Sequence, residues 1–265
     1  MPLATTEAAL VASYNRGCRA IALSGGCAAA VLDDRMSRAP GFAFATIAQA
    51  LRFADWIREA LPALRAAAER TSRYARLLEI ENAIEGNHVY LRCAYATGEA
   101  AGQNMVTLAT EALVAHAVAF TPMQQTDYFH EANFSSDKKA SAQSLLGARG
   151  KRVTAEVILP ATVACKLLHA TPKRMLDYWR FGSIGAAPSG ALGVQGHYAN
   201  GLAALYLATG QDVACVANQR LESRASNPQN MAICMPASRC ERDRRHRRRR
   251  HDAARAACRP RATLR

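Results

Sequence analysis

The chain has 265 residues, of which 50% are hydrophobic, and a formal net charge of +13. This length can bury one large or two small hydrophobic cores, and no apolar run approaches the roughly 18 residues that a membrane-spanning helix needs. The eight cysteines are scattered without a Cys-x-x-Cys pair. This cysteine pattern argues against a zinc site or a disulfide framework. The polar residues soon after Met1 predict no signal peptide, and the two observations together indicate a cytoplasmic protein.

The first 70 residues are predicted to be mainly helical. Two threonines before residue 7 are suitable N-caps for a helix over residues 7–15, which Gly17 would end in the left-handed conformation. Residues 20–38 contain few core-type side chains and carry a predicted Ser-Gly-Gly loop at residues 24–26. Residues 46–70 have apolar side chains at helical spacing, which predicts two helices, the second beginning near Pro62.

The middle of the chain changes to strand-type patterning. Two apolar runs, residues 74–84 and 89–95, flank a Glu-Gly-Asn turn and predict a β-hairpin. Residues 97–102 are predicted to be a loop and residues 103–119 a helix. Helix, hairpin, loop and helix in this order are typical of a small α+β unit, with helices on one face of an antiparallel sheet.

The third quarter of the chain alternates between strand and helix signals. Residues 152–159 alternate as a strand, and Thr171 followed by proline starts a helix. An Ala-rich helix is predicted over residues 197–218, with Asp212 inside it. A buried carboxylate needs a partner, so Asp212 is of interest, although an Asp that caps a loop or pairs with a core Arg is the structural alternative.

The most polar segment of the body is Ser135-Ser136-Asp137-Lys138-Lys139, with Glu131 and Asn133 just upstream. An ammonium held beside a carboxylate stays charged and can donate a hydrogen bond to a carbonyl oxygen as negative charge develops on it. A solvated surface loop is the alternative interpretation.

The positive charge is concentrated at the C-terminus. Residues 239–265 contain 12 Arg and 3 acidic residues, a net charge of +9, which leaves only +4 for the rest. Residues 238–265 have no apolar periodicity and repel one another, so we predict that they are disordered. Because Arg codons read one base out of frame become Gly codons, we hypothesise that this tail is a frameshift product.

Several motifs occur in the order and near the spacing found in the hydroxymethylglutaryl-CoA (HMG-CoA) reductase family, which residues 1–218 resemble. The motifs are more similar to those of the eukaryotic and archaeal class than to those of the other, bacterial class. The motifs are Met-Pro-Leu-Ala-Thr-Thr-Glu at 1–7, Val-Ala-Ser-Tyr-Asn-Arg-Gly-Cys at 11–18, Met-Ser-Arg-Ala-Pro at 36–40, Thr-Ser-Arg-Tyr-Ala-Arg-Leu at 71–77, Ser-Asp-Lys-Lys at 136–139, Arg-Gly-Lys at 149–151, His-Tyr-Ala-Asn at 197–200 and Gly-Gln-Asp at 210–212.

The resemblance implies an α+β fold with an inserted domain. A large mixed α/β domain that binds HMG-CoA would comprise residues 1–39 and 141–237. A small ferredoxin-like NADP-binding domain would comprise residues 40–129, and residues 130–140 would form the catalytic connecting loop.

The implied activity is the NADPH-dependent reduction of HMG-CoA to mevalonate and CoA in isoprenoid biosynthesis. Reducing a thioester to an alcohol needs successive hydride transfers, a cation that stabilises developing oxyanions and a proton source. The resemblance implies three catalytic residues in this chain. Lys138 would polarise the carbonyl, Glu7 would donate a proton, and Asp212 would tune Lys138 and Glu7 by its charge and hydrogen bonding. We expect folding to bring these three side chains within hydrogen-bonding reach, with Asp212 buried.

The resemblance also assigns substrate-binding and cofactor-binding residues. The residues implied for the substrate are Arg16, Arg38, Asn133, Lys139, Arg180 (where the family usually has Lys) and Asn200. Ser72 and Arg73 would bind the adenosine 2′-phosphate, to which an Arg is well suited.

The loop implied for the nicotinamide is Glu99-Ala100-Ala101-Gly102-Gln103-Asn104, where the family has Asp-Ala-Met-Gly-Met-Asn. Glu99, Gly102 and Asn104 preserve part of the motif. The loss of both Met residues leaves the choice between NADPH and NADH open. No Gly-x-Gly-x-x-Gly follows a strand, so this is not a Rossmann fingerprint.

Two parts of the family pattern have no match. The family has an upstream segment that helps to pair subunits, and after residue 236 it has a Gly-rich segment and a His that protonates the CoA thiolate. The resemblance therefore implies a chain truncated at both ends, and a homodimer or higher homo-oligomer if those segments were present. The alternatives are a catalytically inactive fragment and, more distantly, a nucleic-acid binder that uses the Arg tail. The nearly balanced charge of the body argues against nucleic acid, and no metal is implied.

Overall fold

The structure is a computed structural model that describes residues 1–136, 141, 143, 150–191, 196–218, 222–227 and 230–237, with side chains up to residue 216. The Arg-rich tail, which was predicted to be disordered, lies outside these residues. Within the described part of the chain, no helix is both long and apolar enough to cross a membrane. The same residues contain no group of His, Cys, Asp and Glu side chains that could hold a metal ion.

The described residues form two compact units. The first draws on Met1–Asp33 and Lys151–Ala237, and the second on Asp34–Gly150. The chain therefore passes between the units near residues 33 and 150, whereas the sequence predicted boundaries near 39 and 141. Helices combine with antiparallel sheets, as the α+β prediction requires, whereas the ferredoxin-like topology stays a prediction.

The second unit is built around a central strand, β4. Its strands are β1 (Ala28–Arg38, which begins in the first unit), β2 (Gly41–Phe44), β3 (Arg76–Glu85), β4 (His88–Ala96) and β5 (Gln125–Phe129). One edge of β4 pairs with β3 along its whole length, which confirms the predicted hairpin. The other edge pairs with β1 and then with β2, both antiparallel, and β5 pairs with β2.

Three helices cover one face of this sheet: α2 (Ile47–Glu59), α3 (Leu61–Glu69) and α4 (Gln103–Phe120). The Thr46 hydroxyl accepts a hydrogen bond from the Gln49 N–H at 3.3 Å and caps α2. Pro62 lies in the first turn of α3, where its missing N–H leaves no helical bond unmade. Because successive strand residues point to opposite faces, alternate residues of β4 enter the core. These residues are Val89, Leu91, Cys93 and Tyr95, all fully buried.

The first unit contains α1 (Ala8–Leu23), β6 (Gly150–Ile158), α5 (Ala161–Val163), a π-helix at Ala164–Leu168, α6 (Pro172–Ala186), α7 (Tyr198–Thr209) and a 3₁₀ helix at Val213–Asn218. Two further strands, β7 (Glu222–Asn227) and β8 (Asn230–Ala237), complete an antiparallel sheet in which β8 lies between β6 and β7. The predicted strand near 152–159 and the helix that follows Thr171 are confirmed.

Two predictions from local pattern were wrong, and one strand was not predicted. Gly17 lies inside α1, which continues to Leu23, because a helix tolerates an interior Gly at a cost of only about 1 kcal/mol. The predicted loop at 24–26 is present, whereas strand β1, which follows it, was not predicted; its end pairs with distant β4, with Met36 opposite Tyr95. The helix predicted over 197–218 ends at Thr209, because Gly210 adopts φ +68° and closes it.

Candidate functional site

A turn between α3 and β3 presents Ser72 and Arg73. The Ser72 hydroxyl oxygen accepts hydrogen bonds from the backbone N–H groups of Tyr74 at 3.1 Å and Ala75 at 3.4 Å, so the turn is closed by its own side chain. The Arg73 guanidinium lies 5.7 Å from the centre of the Tyr74 ring, within cation–π range. The conformation of this turn therefore depends on contacts among neighbouring residues.

Ser72 and Arg73 line an open pocket of about 420 Å³, together with Ala66, Glu69, Arg70 and Arg76. The only carboxylate in the lining, that of Glu69, accepts a hydrogen bond from the Leu77 N–H at 3.0 Å. Three guanidinium groups against one carboxylate make the pocket positively charged, which suits a phosphate monoester. Arg70 and Arg76 were not assigned from the sequence, although their spacing of three residues on either side of Arg73 was a signal that could have been used.

The loop before α4, which the resemblance assigned to the nicotinamide, is tightly built around Thr97. The Thr97 hydroxyl donates a hydrogen bond to the Ala100 carbonyl at 2.9 Å. Gly102 is buried, has φ +78° and stands at the N-cap of α4, whereas Glu99 and Asn104 are exposed. A Cβ on Gly98 would lie 3.8 Å from the Tyr74 ring, so this loop runs beside the residue that follows Arg73. The loop and the turn that presents Ser72 and Arg73 are therefore neighbours through Gly98 and the Tyr74 ring.

Arg38, predicted to bind substrate, lies at the end of β1 against α4. Its Nε donates a hydrogen bond to the Thr107 hydroxyl at 2.9 Å, and that hydroxyl donates to the Gln103 carbonyl at 2.9 Å. Arg38 is thus held at the first turns of the helix that begins in the predicted nicotinamide loop.

The loop after β5 runs along this end of β1. The Ala132 N–H donates to the Ala39 carbonyl at 2.7 Å, and the Ser37 hydroxyl donates to the Ser135 carbonyl at 3.3 Å. Asn133, another predicted substrate residue, has φ +68° within this loop. Lys138 and Lys139 follow in the sequence but lie outside the described residues, so their predicted roles remain predictions.

In the first unit, α1 and α7 are joined by a cluster of polar and aromatic side chains. The Ser13 hydroxyl and His197 Nε2 share a hydrogen bond at 3.0 Å, and the Tyr14 ring meets the His197 ring edge-on at 5.2 Å. A Cβ on Gly201 would lie 1.8 Å from the Tyr14 hydroxyl oxygen, so only glycine permits this approach. Burial raises the pKa of Tyr14, with a smaller contribution from Cys18, and burial also raises that of Tyr198. The predicted residues on these two helices, Glu7, Arg16 and Asn200, are exposed.

The prediction that Asp212 is buried inside a helix was wrong. Asp212 follows the end of α7 and is exposed, and its Oδ1 accepts a hydrogen bond from the Ala214 N–H at 3.0 Å. It therefore caps the 3₁₀ helix, as the structural alternative for this residue expected. Arg180, on α6, is also exposed, and its Nη1 lies 3.8 Å from Asp177 Oδ1.

Comparison with known proteins places these residues in a family context. The family model of hydroxymethylglutaryl-coenzyme A reductase matches residues 1–224. The 3-hydroxy-3-methylglutaryl-coenzyme A reductase of Haloferax volcanii is 43% identical over 217 residues, covering 82% of this chain and 53% of that protein. The Methanothermobacter thermautotrophicus enzyme of the same name is 40% identical over 224 residues, with 81% of this chain and 54% of the relative covered. The chain thus spans about half the length of these curated relatives.

Solved structures give the same result at the level of the fold. The class II 3-hydroxy-3-methylglutaryl-CoA reductase of Streptococcus pneumoniae bound to NADPH aligns with a TM-score of 0.64 and 17% sequence identity. The alignment covers 88% of this chain and 65% of that one. At this identity the similarity shows a shared fold.

Proposed function

The chain belongs to the hydroxymethylglutaryl-coenzyme A reductase family, and we propose that it performs the NADPH-dependent reduction of HMG-CoA to mevalonate and CoA. The observation that carries the proposal is the positively charged pocket around Ser72 and Arg73. Tyr74, the residue after Arg73, is the neighbour that a Cβ on Gly98 would meet in the loop that ends at Gly102. A phosphate-binding pocket beside a tight backbone turn suits a phosphorylated dinucleotide.

The cofactor would be held at both of its ends. Ser72 and Arg73 would bind the 2′-phosphate, and Glu99, Gly102 and Asn104 would line the nicotinamide end. When bound, NADPH supplies the hydride. The buried Gly102 leaves no side chain in the turn, which allows a ligand to approach the backbone closely.

The residues of this chain would control charge and protons at the thioester. Lys138 would donate a hydrogen bond to the carbonyl oxygen as it becomes an oxyanion, and Glu7 would deliver a proton. Asp212 would tune both through its charge.

The remaining proposed contacts bind the substrate. Guanidinium, ammonium and amide groups are suited to a carboxylate such as that of the HMG moiety. The residues are Arg16, Arg38, Asn133, Lys139, Arg180 and Asn200. We further propose a homo-oligomer in the cytoplasm, as the family resemblance implies.

The first test is equilibrium binding of 2′,5′-ADP and of 5′-AMP, which differ by the 2′-phosphate. Losing a hydrogen bond to a charged group costs about 1.5–3 kcal/mol, so Arg73→Ala should weaken 2′,5′-ADP binding roughly 10- to 150-fold and leave 5′-AMP almost unaffected. Arg52→Ala, which removes an exposed Arg of α2, is the matched control. Equal affinity of the wild-type protein for the two nucleotides would reject the cofactor site.

The second test is NADPH oxidation upon addition of HMG-CoA. Turnover that disappears in Lys138→Ala supports the reductase. Tight 2′,5′-ADP binding without any turnover would instead establish the alternative, a chain that keeps the cofactor site and lacks catalysis.

A further inference from the structure

We propose that Glu131 is a positioning residue that fixes the loop leading into Asp137-Lys138-Lys139 onto the end of β1. The role of Lys138 in this inference rests on the proposed function. The placement of the loop rests on contacts of described residues within the second unit.

The Glu131 carboxylate accepts three hydrogen bonds. Its Oε1 accepts from the Asn133 N–H at 3.0 Å and from the Ser135 hydroxyl at 2.9 Å. Its Oε2 accepts from the Ala39 N–H at 3.1 Å. One oxygen therefore closes the loop on itself, and the other ties the loop to a residue 92 positions earlier in the chain.

The loop contains two backbone conformations that are unfavourable unless neighbouring contacts stabilise them. Asn133 has φ +68° and Ser136 has φ +56°, both in the left-handed region that non-glycine residues rarely adopt. Ser135 and Ser136 are buried, and the Ser136 hydroxyl lies 2.6 Å from that of Ser141. A carboxylate that binds an N–H and an O–H in the same loop stabilises this shape.

The second oxygen of Glu131 sets the position of the loop relative to Arg38. Ser37 and Ala39, the two neighbours of Arg38, both bond to the loop: the Ser37 hydroxyl to the Ser135 carbonyl, and the Ala39 N–H to Glu131. Arg38 is thus bracketed by the contacts that seat the loop. A loop held in this way would fix the described residues that precede Lys138 relative to Arg38.

Only a carboxylate satisfies all three donors. A glutamine offers one acceptor oxygen in place of two, and its NH₂ group cannot accept from the N–H of Ala39. The Glu131 side chain is exposed and removes no core packing when replaced, so its variants are expected to fold.

The experiment compares the full-length wild type with Glu131→Ala, Glu131→Gln and the control Glu111→Ala, which removes an exposed carboxylate from α4. Amide hydrogen exchange at Ala39 and Asn133 should accelerate about tenfold or more in Glu131→Ala, because both amides lose a charged acceptor. Glu131→Gln should accelerate exchange at only one of the two. In steady-state assays, kcat should fall at least about tenfold in Glu131→Ala while the Kd of NADPH stays unchanged. Glu111→Ala should match the wild type in every measurement.

The outcomes separate this inference from the proposed function. A wild type that does not turn over rejects the reductase activity, and the exchange data alone then decide the role of Glu131 in building the loop. Unchanged exchange at both amides in Glu131→Ala would overturn the inference. An unchanged kcat in that variant, in a protein that does turn over, would also overturn it. A merely structural role would lower the melting temperature and the affinity for NADPH together, whereas a positioning role accelerates exchange at the two amides and lowers kcat while the Kd of NADPH stays unchanged.

Discussion

Replacing Gly102 by Ala should destabilise the second unit strongly, for two reasons that can be separated. Gly102 has φ +78°, where an L-residue pays about 1–2 kcal/mol. Its new Cβ would also lie 2.4–2.6 Å from three side-chain atoms of Thr97, which is itself buried. Crowding of this kind in a packed site costs about 1–3 kcal/mol. The two contributions give an expected loss of about 2–5 kcal/mol in the free energy of unfolding.

Gly98→Ala is the matched control, because it changes the conformational contribution alone. Gly98 has φ +60° in the same loop, and its nearest neighbour would be the Tyr74 ring at 3.8 Å, an ordinary van der Waals distance. This variant should therefore lose only about 1–2 kcal/mol. The difference between the two variants measures the contact with Thr97.

Urea unfolding followed by tryptophan fluorescence is the assay. The chain has two tryptophans, Trp56 on α2 in the second unit and Trp179 on α6 in the first. In a Trp179→Phe background, the signal reports on Trp56, which packs against the core of the second unit. If Gly98→Ala and Gly102→Ala shift the unfolding free energy equally, the steric argument is refuted. If neither shifts it, the left-handed conformation of the loop is refuted as well.

Three further predictions concern stability and thiol chemistry. Gly17→Ala should raise the unfolding free energy by about 0.5–1 kcal/mol in urea titrations, because Gly17 is inside α1 and a Cβ would meet no atom within 4 Å. Thr46→Ala should lower it by about 1 kcal/mol through loss of the α2 cap, whereas Thr46→Ser should restore most of that loss. Burial raises the pKa of Cys93 to about 12, so at pH 8 a thiol reagent should label exposed Cys165 quickly and Cys93 only after unfolding. Because that folded-state pKa is above the ordinary value of 9.0, the unfolded state loses the proton first, and stability should fall as the pH rises from 9 towards 12.

The sequence motifs alone indicate the family, and local signals predict many of the helices and strands. The α2 cap at Thr46, Pro62 at the start of α3, the Thr171 cap of α6 and the β3–β4 hairpin all follow from interactions among residues within a few positions of one another. Such short-range interactions can be predicted from the sequence alone.

Features that depend on distant partners needed the tertiary structure. Strand β1 was not predicted because its Ala-rich, acidic sequence has weak strand propensity, and its end forms a strand because it pairs with an edge of β4. The position of Asp212 is a different case: it was placed in a helix because the Ala-rich pattern was extended past Gly210, although a glycine after a helical run is a local signal for the helix end. Glu131 looked like part of a polar patch, and only folding places its carboxylate beside the N–H of Ala39. A hydrogen bond across 92 residues leaves no periodic signal in the sequence, because its geometry is set by the sheet that brings the two segments together.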